Sequence, residues 1–334
     1  MQDPTTRMVN EQIINGFLSE DSVIRKEAQE GVEDYLRIRL YEDGFARRIQ
    51  PPTKVEPSDL DRQVDTEKPV IILDKEPNAP AAYSVPFGTL PVGHYIKGPR
   101  FRVMFDRIMS RRFRADVNTL LTYDMDIKQI LEDIILKQIM AEEDRKYLYV
   151  ADYIVTQGDP DNVDAGATQD ANSLNAEIAC CQNLTFNGIT RANLAEMRKG
   201  LPSTNRHLNP AIALVNNITI WDVVQLTRDN VGGDLAEEMF VNGFTERQIM
   251  GLKWVVTIKT DLVPTGVIYQ FAEPKYLGRF FVLDDVTLST KKEDFMIEFF
   301  AYECLGAAIG NSAALCRSNF NGVANHAWVD GAVI

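Results

Sequence analysis

Residues 111–150 read RRFRADVNTLLTYDMDIKQILEDIILKQIMAEEDRKYLYV, and they hold the clearest helix signal in the chain. Between residues 125 and 153, apolar side chains recur at the three- and four-residue spacing of one helix face. The apolar positions are Ile127, Ile130, Leu131, Ile134, Ile135, Ile139, Leu148 and Tyr149. At about 1.5 Å per residue, such a helix is on the order of 40 Å long, which suits the spine of a flat subunit.

Carboxylates cluster at two places, one of them near the end of this helix. Glu142, Glu143 and Asp144 follow one another there, and Asp284 is adjacent to Asp285. Neither group has the ligand spacing with a turn glycine that a calcium loop needs. We interpret the first group as a solvated helix face and the second as a turn, and we predict no metal site.

A basic cluster precedes the helix in a chain whose formal net charge is -13. Apolar Phe101, Val103, Phe105 and Phe113 alternate with part of it. A nucleic-acid groove, a contact with acidic surface on another copy and a solvated face all fit this pattern. We favour the subunit contact and predict that Arg111 and Arg112 stabilise it. The candidate interface residues are Lys97, Arg100, Arg102, Arg107, Arg111, Arg112 and Arg114.

The N-terminal third of the chain changes character near residue 49. Residues 8–48 have amphipathic helical spacing and mixed charge, which fits either an arm on a partner surface or a peripheral helical layer. Residues 49–100 hold more than half of the 15 prolines, with short strand signals at Val70–Leu73 and Tyr95–Phe105. This second stretch fits either a long extension that docks on a neighbouring subunit or a set of surface loops.

The C-terminal half mixes helices with antiparallel-looking strands, which predicts an α+β fold. Thr219 is expected to cap a helix through Leu226, and further helices are expected at Leu235–Phe240 and from Thr245 to Met250. Strands are expected at Trp254–Ile258, Val267–Ala272, Phe280–Leu283 and Phe295–Cys304. The small residues Gly306, Ala307, Ala308, Gly310, Ser312, Ala313 and Ala314 are interpreted as a closely packed helix.

Signals for catalysis and cofactors are missing from the sequence. It contains neither phosphate-binding glycine motif, no nucleophile elbow and no paired-histidine zinc motif. The three histidines (His94, His207 and His326) lie far apart, and the four cysteines (Cys180, Cys181, Cys304 and Cys316) lack zinc spacing. We therefore predict no catalytic residue, no cofactor and no membrane span, and we take a reducing cytoplasm as the compartment of assembly. A soluble α+β enzyme with an unrecognised site is the alternative.

The order of these features resembles the coat-protein fold of tailed double-stranded-DNA phages, the Hong Kong 97 type. Residues 111–150 resemble the family's passage from extended loop to spine helix, and residues 266–320 resemble its closing section. The resemblance implies an N-terminal arm at 1–49 and an extended loop at 50–108. It also implies a peripheral domain at 109–158 with return at 284–305, and an axial domain at 159–283 with return at 306–334.

The resemblance further implies a structural role without turnover. Hexamers and pentamers of this chain would close an icosahedral shell around phage DNA, without sequence-specific binding. A separate scaffolding protein, a portal and optional cement proteins would be its partners, and the virion capsid its location. Lys75 and Lys97 lie where some members crosslink, but no matching glutamate or asparagine is recognised. A bacterial nanocompartment shell, which has a similar fold and holds an enzyme, is a further alternative.

Overall fold

The structure, a computed structural model, contains three β-sheets within the residues it describes, together with helices that pack on them. The described residues are 12–15, 23, 26, 44–61, 67–74, 84, 86–88, 100–116, 119, 135–157, 183–204, 206–224, 248–293 and 295–322. Within these ranges, no helix is long and apolar enough to cross a bilayer.

Within the described ranges, both ends of thirteen strands and five α-helices are defined. The strands are β1 (Pro52–Lys54), β2 (Val70–Asp74), β3 (Arg100–Met104), β4 (Asp106–Met109), β5 (Phe113–Asp116), β6 (Asn183–Asn187), β7 (Pro210–Asn216), β8 (Gln248–Ile249), β9 (Leu252–Thr257), β10 (Val267–Ala272), β11 (Arg279–Glu293), β12 (Met296–Ala308) and β13 (Leu315–Asn321). The helices are α1 (Phe45–Ile49), α2 (Lys137–Gln157), α3 (Arg191–Lys199), α4 (Asn217–Val224) and α5 (Pro274–Leu277).

A long antiparallel ribbon, β11 with β12, forms the centre of the first sheet. The strand order is β1-β11-β12-β4, and β5 pairs with β12 beyond β4. Alternate residues of β12, including Ile297, Phe299 and Ala301, are buried in the main core with Tyr147 and Leu148 of α2. This period-two burial is what a sheet with one covered face requires. The spine helix α2 therefore lies on one face of the sheet. On the other face, Phe281 and Cys304 are buried in a separate cluster with Val103 and Phe105.

The second sheet has six strands in the order β6-β13-β10-β7-β9-β8. Its central strand β10 is buried at all six positions, because β7 and β13 flank it and side chains cover both faces. A separate apolar cluster joins Trp254 of β9 to Leu194 of α3 and Ile220 of α4. This sheet lies where the sequence predicts an axial domain, and that domain division remains a prediction.

Several sequence-based expectations agree with the structure. The α+β class is confirmed, and the predicted strand Val267–Ala272 has the bounds of β10. The predicted spine helix is present as α2, which continues to Gln157, whereas residues 125–134 lie outside the described ranges. Leu235–Phe240 also lies outside them, as do most of the predicted arm and residues 75–83 and 89–99 of the predicted loop.

Three local predictions are wrong. The small residues at 306–314 do not form a helix: β12 continues to Ala308, and a short 3-10 turn at Ser312–Ala314 leads into β13. Residues 248 and 249 belong to strand β8, which turns into β9 through Met250 and Gly251, both at positive φ (56° and 72°). Helix α4 begins at Asn217, ahead of Thr219, because the Asn216 side chain accepts the Thr219 N–H at 2.6 Å.

These corrections have physical causes. Small residues are needed where backbones approach closely, and a Cβ on Gly306 would lie 3.1 Å from the Met104 carbonyl oxygen. The close approach of two backbones therefore requires glycine at this position of the strand. A closely packed helix would favour the same small residues. Two consecutive residues at positive φ are typical of a tight two-residue hairpin turn. At residues 248 and 249 the expected helix is therefore replaced by strand pairing with β9.

The described N-terminal pieces pack into this chain's own core. Ile14, Phe45, Ala46 and Ile49 are each at most 2% exposed and belong to the main core cluster. The prediction that residues 8–48 contact a partner therefore concerns the remainder of that segment.

We expect Gly278→Ala to destabilise the fold by about 1–3 kcal/mol, as overpacking of a tight contact does. A Cβ at Gly278 would overlap the Ala308 carbonyl oxygen and lie 2.9 Å from the Gly310 nitrogen. Gly310→Ala is the matched control, because a Cβ there meets nothing within 4 Å. Urea unfolding of both variants measures the difference, and equal stabilities would contradict this account of the ribbon's start.

Candidate subunit-contact surface and buried charge network

The predicted basic residues separate into three groups. Lys97 lies outside the described residues. Arg100 and Arg102 are exposed on β3, and Arg100 pairs with Asp74 of β2 at 2.9 Å. Arg107, Arg112 and Arg114 lie beside β12 on the sheet face that points away from α2, whereas Arg111 lines a groove next to α2.

Cross-strand pairing assembles a basic sheet face, which we define by Arg107, Arg112, Arg114 and Lys291. Lys291 is opposite Glu298, which is opposite Arg114. Register of this kind places all three side chains on the same face of the sheet. The sequence analysis did not single out Lys291, because it lies about 180 residues after the arginine cluster.

Each arginine of this face rests on a side chain of β12. Arg112 lies over the Phe300 ring at 5.1 Å and Arg107 over the Tyr302 ring at 5.7 Å. Arg112 and Arg114 approach the Glu298 carboxylate at 3.7 and 3.3 Å. Cation–π contacts of this kind hold the guanidinium plane and leave its N–H edge available to an acceptor.

The basic sheet face is exposed, although acidic side chains flank it. The side chains of Arg112 and Arg114 are 66% and 61% exposed, whereas Glu298 beneath them is 7% exposed. Asp116 and Asp284 stand at the two ends of the arginine row. The surface is therefore a mixed-charge strip with an excess of cations, a composition that suits specific pairing with another charged surface.

Arg111 lines a groove of about 490 Å³ on the side of the sheet that faces α2. Gln138 and Glu142 of α2 line it together with Lys259 and Asp261. The Arg111 backbone N–H lies 3.4 Å from the Gln138 Oε1. Arg111 and Arg112 are sequence neighbours, but they serve different surfaces.

The acidic triplet of α2 is largely buried, which corrects its interpretation as a solvated helix face. Glu142 is half-buried and pairs with exposed Arg145, whereas Glu143 and Asp144 are 1% and 0% exposed. Glu143 lies four residues after Ile139 and four before Tyr147, both at 0% exposure. That i, i+4 spacing on the buried face was the sequence signal for its burial.

Arg47 of α1 joins Glu143 to two carboxylates of the sheet. Its Nε donates to the Glu143 Oε1 at 2.9 Å, its Nη2 donates to the Glu303 Oε2 at 3.0 Å, and its Nη1 lies 3.4 Å from the Asp285 Oδ1. Glu303 is fully buried on β12, and Asp285 lies at a register irregularity of β11. The predicted turn at Asp284 and Asp285 is therefore wrong, because both belong to a strand.

A second pair sits beside this network. The Asp144 carboxylate accepts the Ala46 backbone N–H at 2.9 Å and the Lys259 ammonium at 2.5 Å. Lys259 also lies 5.7 Å from the centre of the Phe45 ring. Asp144 thus satisfies an amide at the open N-terminal end of α1, where the helix has no intrahelical acceptor.

Burial raises the pKa of the acids in this network. Desolvation raises the pKa of Glu143 to about 7, against the opposing effect of Arg47. Desolvation, together with the nearby Glu143, raises the pKa of Glu303 well above its ordinary value. Desolvation also raises the pKa of Asp144, although Lys259 opposes the shift. One arginine does not compensate two buried carboxylates completely.

Within the described ranges, no group of three or more His, Cys, Asp or Glu side chains is arranged to hold a metal ion. His207 is exposed, and its ring Nδ1 lies 3.1 Å from the Pro202 carbonyl oxygen. His94 and His326 lie outside the described residues. Among the described side chains, the chemistry is that of ion pairing and apolar contact.

We expect Arg47→Met to destabilise the subunit by about 3–5 kcal/mol, because it leaves two buried carboxylates without their partner. Arg145→Met is the control, since Arg145 makes an exposed pair with Glu142 on the same helix as Glu143. Exposed pairs contribute little. Guanidinium unfolding of both variants at pH 7 tests the contrast, and an Arg47→Met protein as stable as the control would contradict it.

Comparisons with known proteins identify the fold. No protein-family model matches the chain, and no curated protein matches its sequence. The mature capsid of bacteriophage PhiM1 superposes with a TM-score of 0.53 at 10% identity, over 84% of this chain and 88% of that one.

Two further solved structures give the same result. The Mycobacterium phage Bobi structure matches with a TM-score of 0.52 at 13% identity, over 84% of this chain and 91% of that one. The Cyanophage P-SCSP1u capsid matches with a TM-score of 0.52 at 12% identity, over 81% and 86%. The chain therefore has the fold of tailed-phage major capsid proteins of the Hong Kong 97 type, as its sequence resemblance implied.

Proposed function

We propose that this chain is the subunit of a capsid-type protein shell that assembles from many copies of itself. The observation that carries the proposal is the fold match along more than four fifths of the chain to capsid structures. Identity of 10–13% supports the fold, and function on a shared fold has to be argued from surfaces. Two such surfaces on this chain support subunit contact.

The first surface is the basic sheet face, which offers exposed guanidinium groups held in place by aromatic rings. The second is the outer side of α2, where Tyr149 and Tyr153 are 68% and 51% exposed at a four-residue spacing. Tyrosine and arginine are enriched in the centres of protein interfaces. Phe295 at the tip of the β11–β12 hairpin, 66% exposed, is a further aromatic side chain available for contact.

For the division of the chain and the form of the shell, our proposal is the one that the sequence analysis gave. We propose an arm at 1–49, an extended loop at 50–108, a peripheral domain at 109–158 with return at 284–305, and an axial domain at 159–283 with return at 306–334. Hexamers and pentamers of these subunits would form an icosahedral virion shell in the host cytoplasm. The partners would be a scaffolding protein, a portal and optional cement proteins.

The charge of the chain suits a DNA container. A net charge of -13 repels phosphate, so a genome can be packed inside such a shell without adhering to the wall. The cations of the basic sheet face are then available for contacts between subunits. We propose that the enclosed DNA is not recognised by sequence.

The full-length chain, expressed alone and with a scaffolding protein, tests the proposal by particle size. We expect rings, tubes or closed shells in size-exclusion chromatography and negative-stain electron microscopy. A stable monomer or dimer under both conditions would contradict the proposal and favour the enzyme alternative. Closed shells that contain a protein cargo instead of DNA would favour the nanocompartment.

We also expect the basic sheet face to set the stability of the assembly. Arg112→Gln and Arg114→Gln, combined with Glu298→Gln so that no buried carboxylate is left unpaired, should raise the protein concentration needed for assembly. The reason is the loss of two charged interface side chains while the fold is preserved. Light scattering as a function of concentration measures this shift.

Arg191→Gln is the control, because Arg191 is also exposed but lies on α3 beside the six-stranded sheet. Arg111→Gln, made separately, tests the groove beside α2 as a second contact. If the triple variant assembles at the same concentration as the wild type, the assignment of this face fails, while the shell proposal itself stands.

A further inference from the structure

The network around Arg47 contains more buried negative charge than it can balance. Arg47 is 2% exposed and faces Glu143 and Glu303, which are 1% and 0% exposed. Asp285, the third carboxylate, is 37% exposed and can be solvated by water. Lys259 is committed to Asp144 at 2.5 Å. With every acid ionised, one guanidinium would therefore serve two fully buried carboxylates.

The excess of buried negative charge is located at two carboxylate oxygen atoms. The Glu143 Oε2 and the Glu303 Oε1 are buried and have no hydrogen-bond partner among the described residues, although the other oxygen of each carboxyl binds Arg47. A buried acceptor without a donor is costly. A single proton on either oxygen removes one buried charge and leaves one carboxylate for the arginine, so the pair has a reason to retain a proton at neutral pH.

Protonation of Glu143 or Glu303 affects how helix α1 is attached, because both residues pair with Arg47 of that helix. Arg47 is the only charged residue of α1 that is buried, and its three partners lie on α2, β11 and β12. Helix α1 has only five residues, which is too short to be stable without tertiary contacts. Its attachment therefore depends on the charge balance of this network and on the apolar contacts of Phe45 and Ile49.

We propose that Glu143 and Glu303 form a protonation switch for helix α1: one shared proton clamps the helix onto the spine and sheet, and loss of that proton loosens it. This device is independent of shell assembly, because every group in it belongs to one chain. In an assembled shell it would make the base of the N-terminal arm responsive to pH.

The direction of the response follows from linkage. A carboxyl whose pKa is raised by folding stabilises the folded state fully below its ordinary pKa and loses that contribution as the pH rises through the raised value. Burial raises the pKa of Glu143 to about 7 and that of Glu303 in the same direction. The clamp is therefore tight in mild acid, weakens as the pH rises from about 4.5 to about 7, and has lost this contribution at higher pH. Asp144 is raised as well, but Lys259 and the Ala46 N–H stabilise its charged form.

Hydrogen exchange of the full-length chain tests the switch at residues 45–50. The Ala46 amide donates to Asp144, and the Gln50 amide donates to the Ala46 carbonyl at 2.9 Å, so both report the attachment of α1. After correction for the intrinsic rate at each pH, we expect protection to be constant at low pH. Between about pH 4.5 and 7 it should fall by up to about tenfold per pH unit, the response to one proton, and at higher pH it should level off.

Glu303→Gln supplies the decisive variant, since glutamine has the shape of a protonated glutamate. We expect it to abolish the fall in protection between about pH 4.5 and 7. Glu298→Gln is the matched control on the same strand, because Glu298 is also buried but faces Arg112 and Arg114 on the opposite side of the sheet. It should keep the wild-type pH dependence.

Glu143→Gln provides a second route if Glu303→Gln does not fold, and it should also remove the pH dependence. Wild-type protection that stays constant from pH 5.5 to 8.5 would overturn the switch. So would a fall that persists in either glutamine variant. Because the readout is local to α1, such a result leaves the shell proposal untouched.

Discussion

A single buried arginine constrains how the described parts of this molecule meet. Arg47 reaches α2 through Glu143, β12 through Glu303 and β11 through Asp285, with donor–acceptor distances of 2.9, 3.0 and 3.4 Å. Charges of this kind are costly to bury, so the three elements must hold the geometry in which the guanidinium is satisfied. We infer that the network contributes more to the specificity of this arrangement than to net stability. It connects helix α1 to the spine helix and to the sheet.

The two faces of the first sheet differ in chemistry. The side facing α2 carries Ile297, Phe299 and Ala301 into the core, and the opposite side carries Glu298, Phe300 and Tyr302 beneath the arginines. One long strand thus contributes one set of alternate residues to the core and the other set to the face that we propose as a contact surface. This division suits a flat subunit that has to meet neighbours along a broad surface.

Local periodicity made part of the fold predictable from the sequence. The apolar spacing before and after Ile139 predicted the spine helix, and the run from Val267 to Ala272 predicted a central strand. The small residues from Gly306 to Ala314 were misread, because small side chains favour close packing in strands as much as in helices. The hairpin at Met250 and Gly251 was missed since its backbone conformation, not its apolar pattern, makes the turn.

The candidate site was less predictable, because its geometry depends on pairing between distant segments. The arginines at 107, 112 and 114 were visible as a cluster, but only the register of β12 separates them from Arg111 and adds Lys291. Likewise, Glu143 looked solvated in a run of three acids, although its spacing from Ile139 and Tyr147 places it on the buried face. Its partner Arg47 lies 96 residues away, beyond the reach of any local pattern.

The central claim is that Arg47 and its carboxylate partners act as one unit, and a double-mutant cycle measures this directly. The free energies of unfolding of Arg47→Met, Glu303→Gln and the double variant would be compared with that of the wild type at pH 7. The account predicts a coupling energy on the order of 1–3 kcal/mol, as expected for residues in one buried network. Effects that add within about 0.5 kcal/mol would contradict it and would assign the attachment of α1 to apolar packing alone.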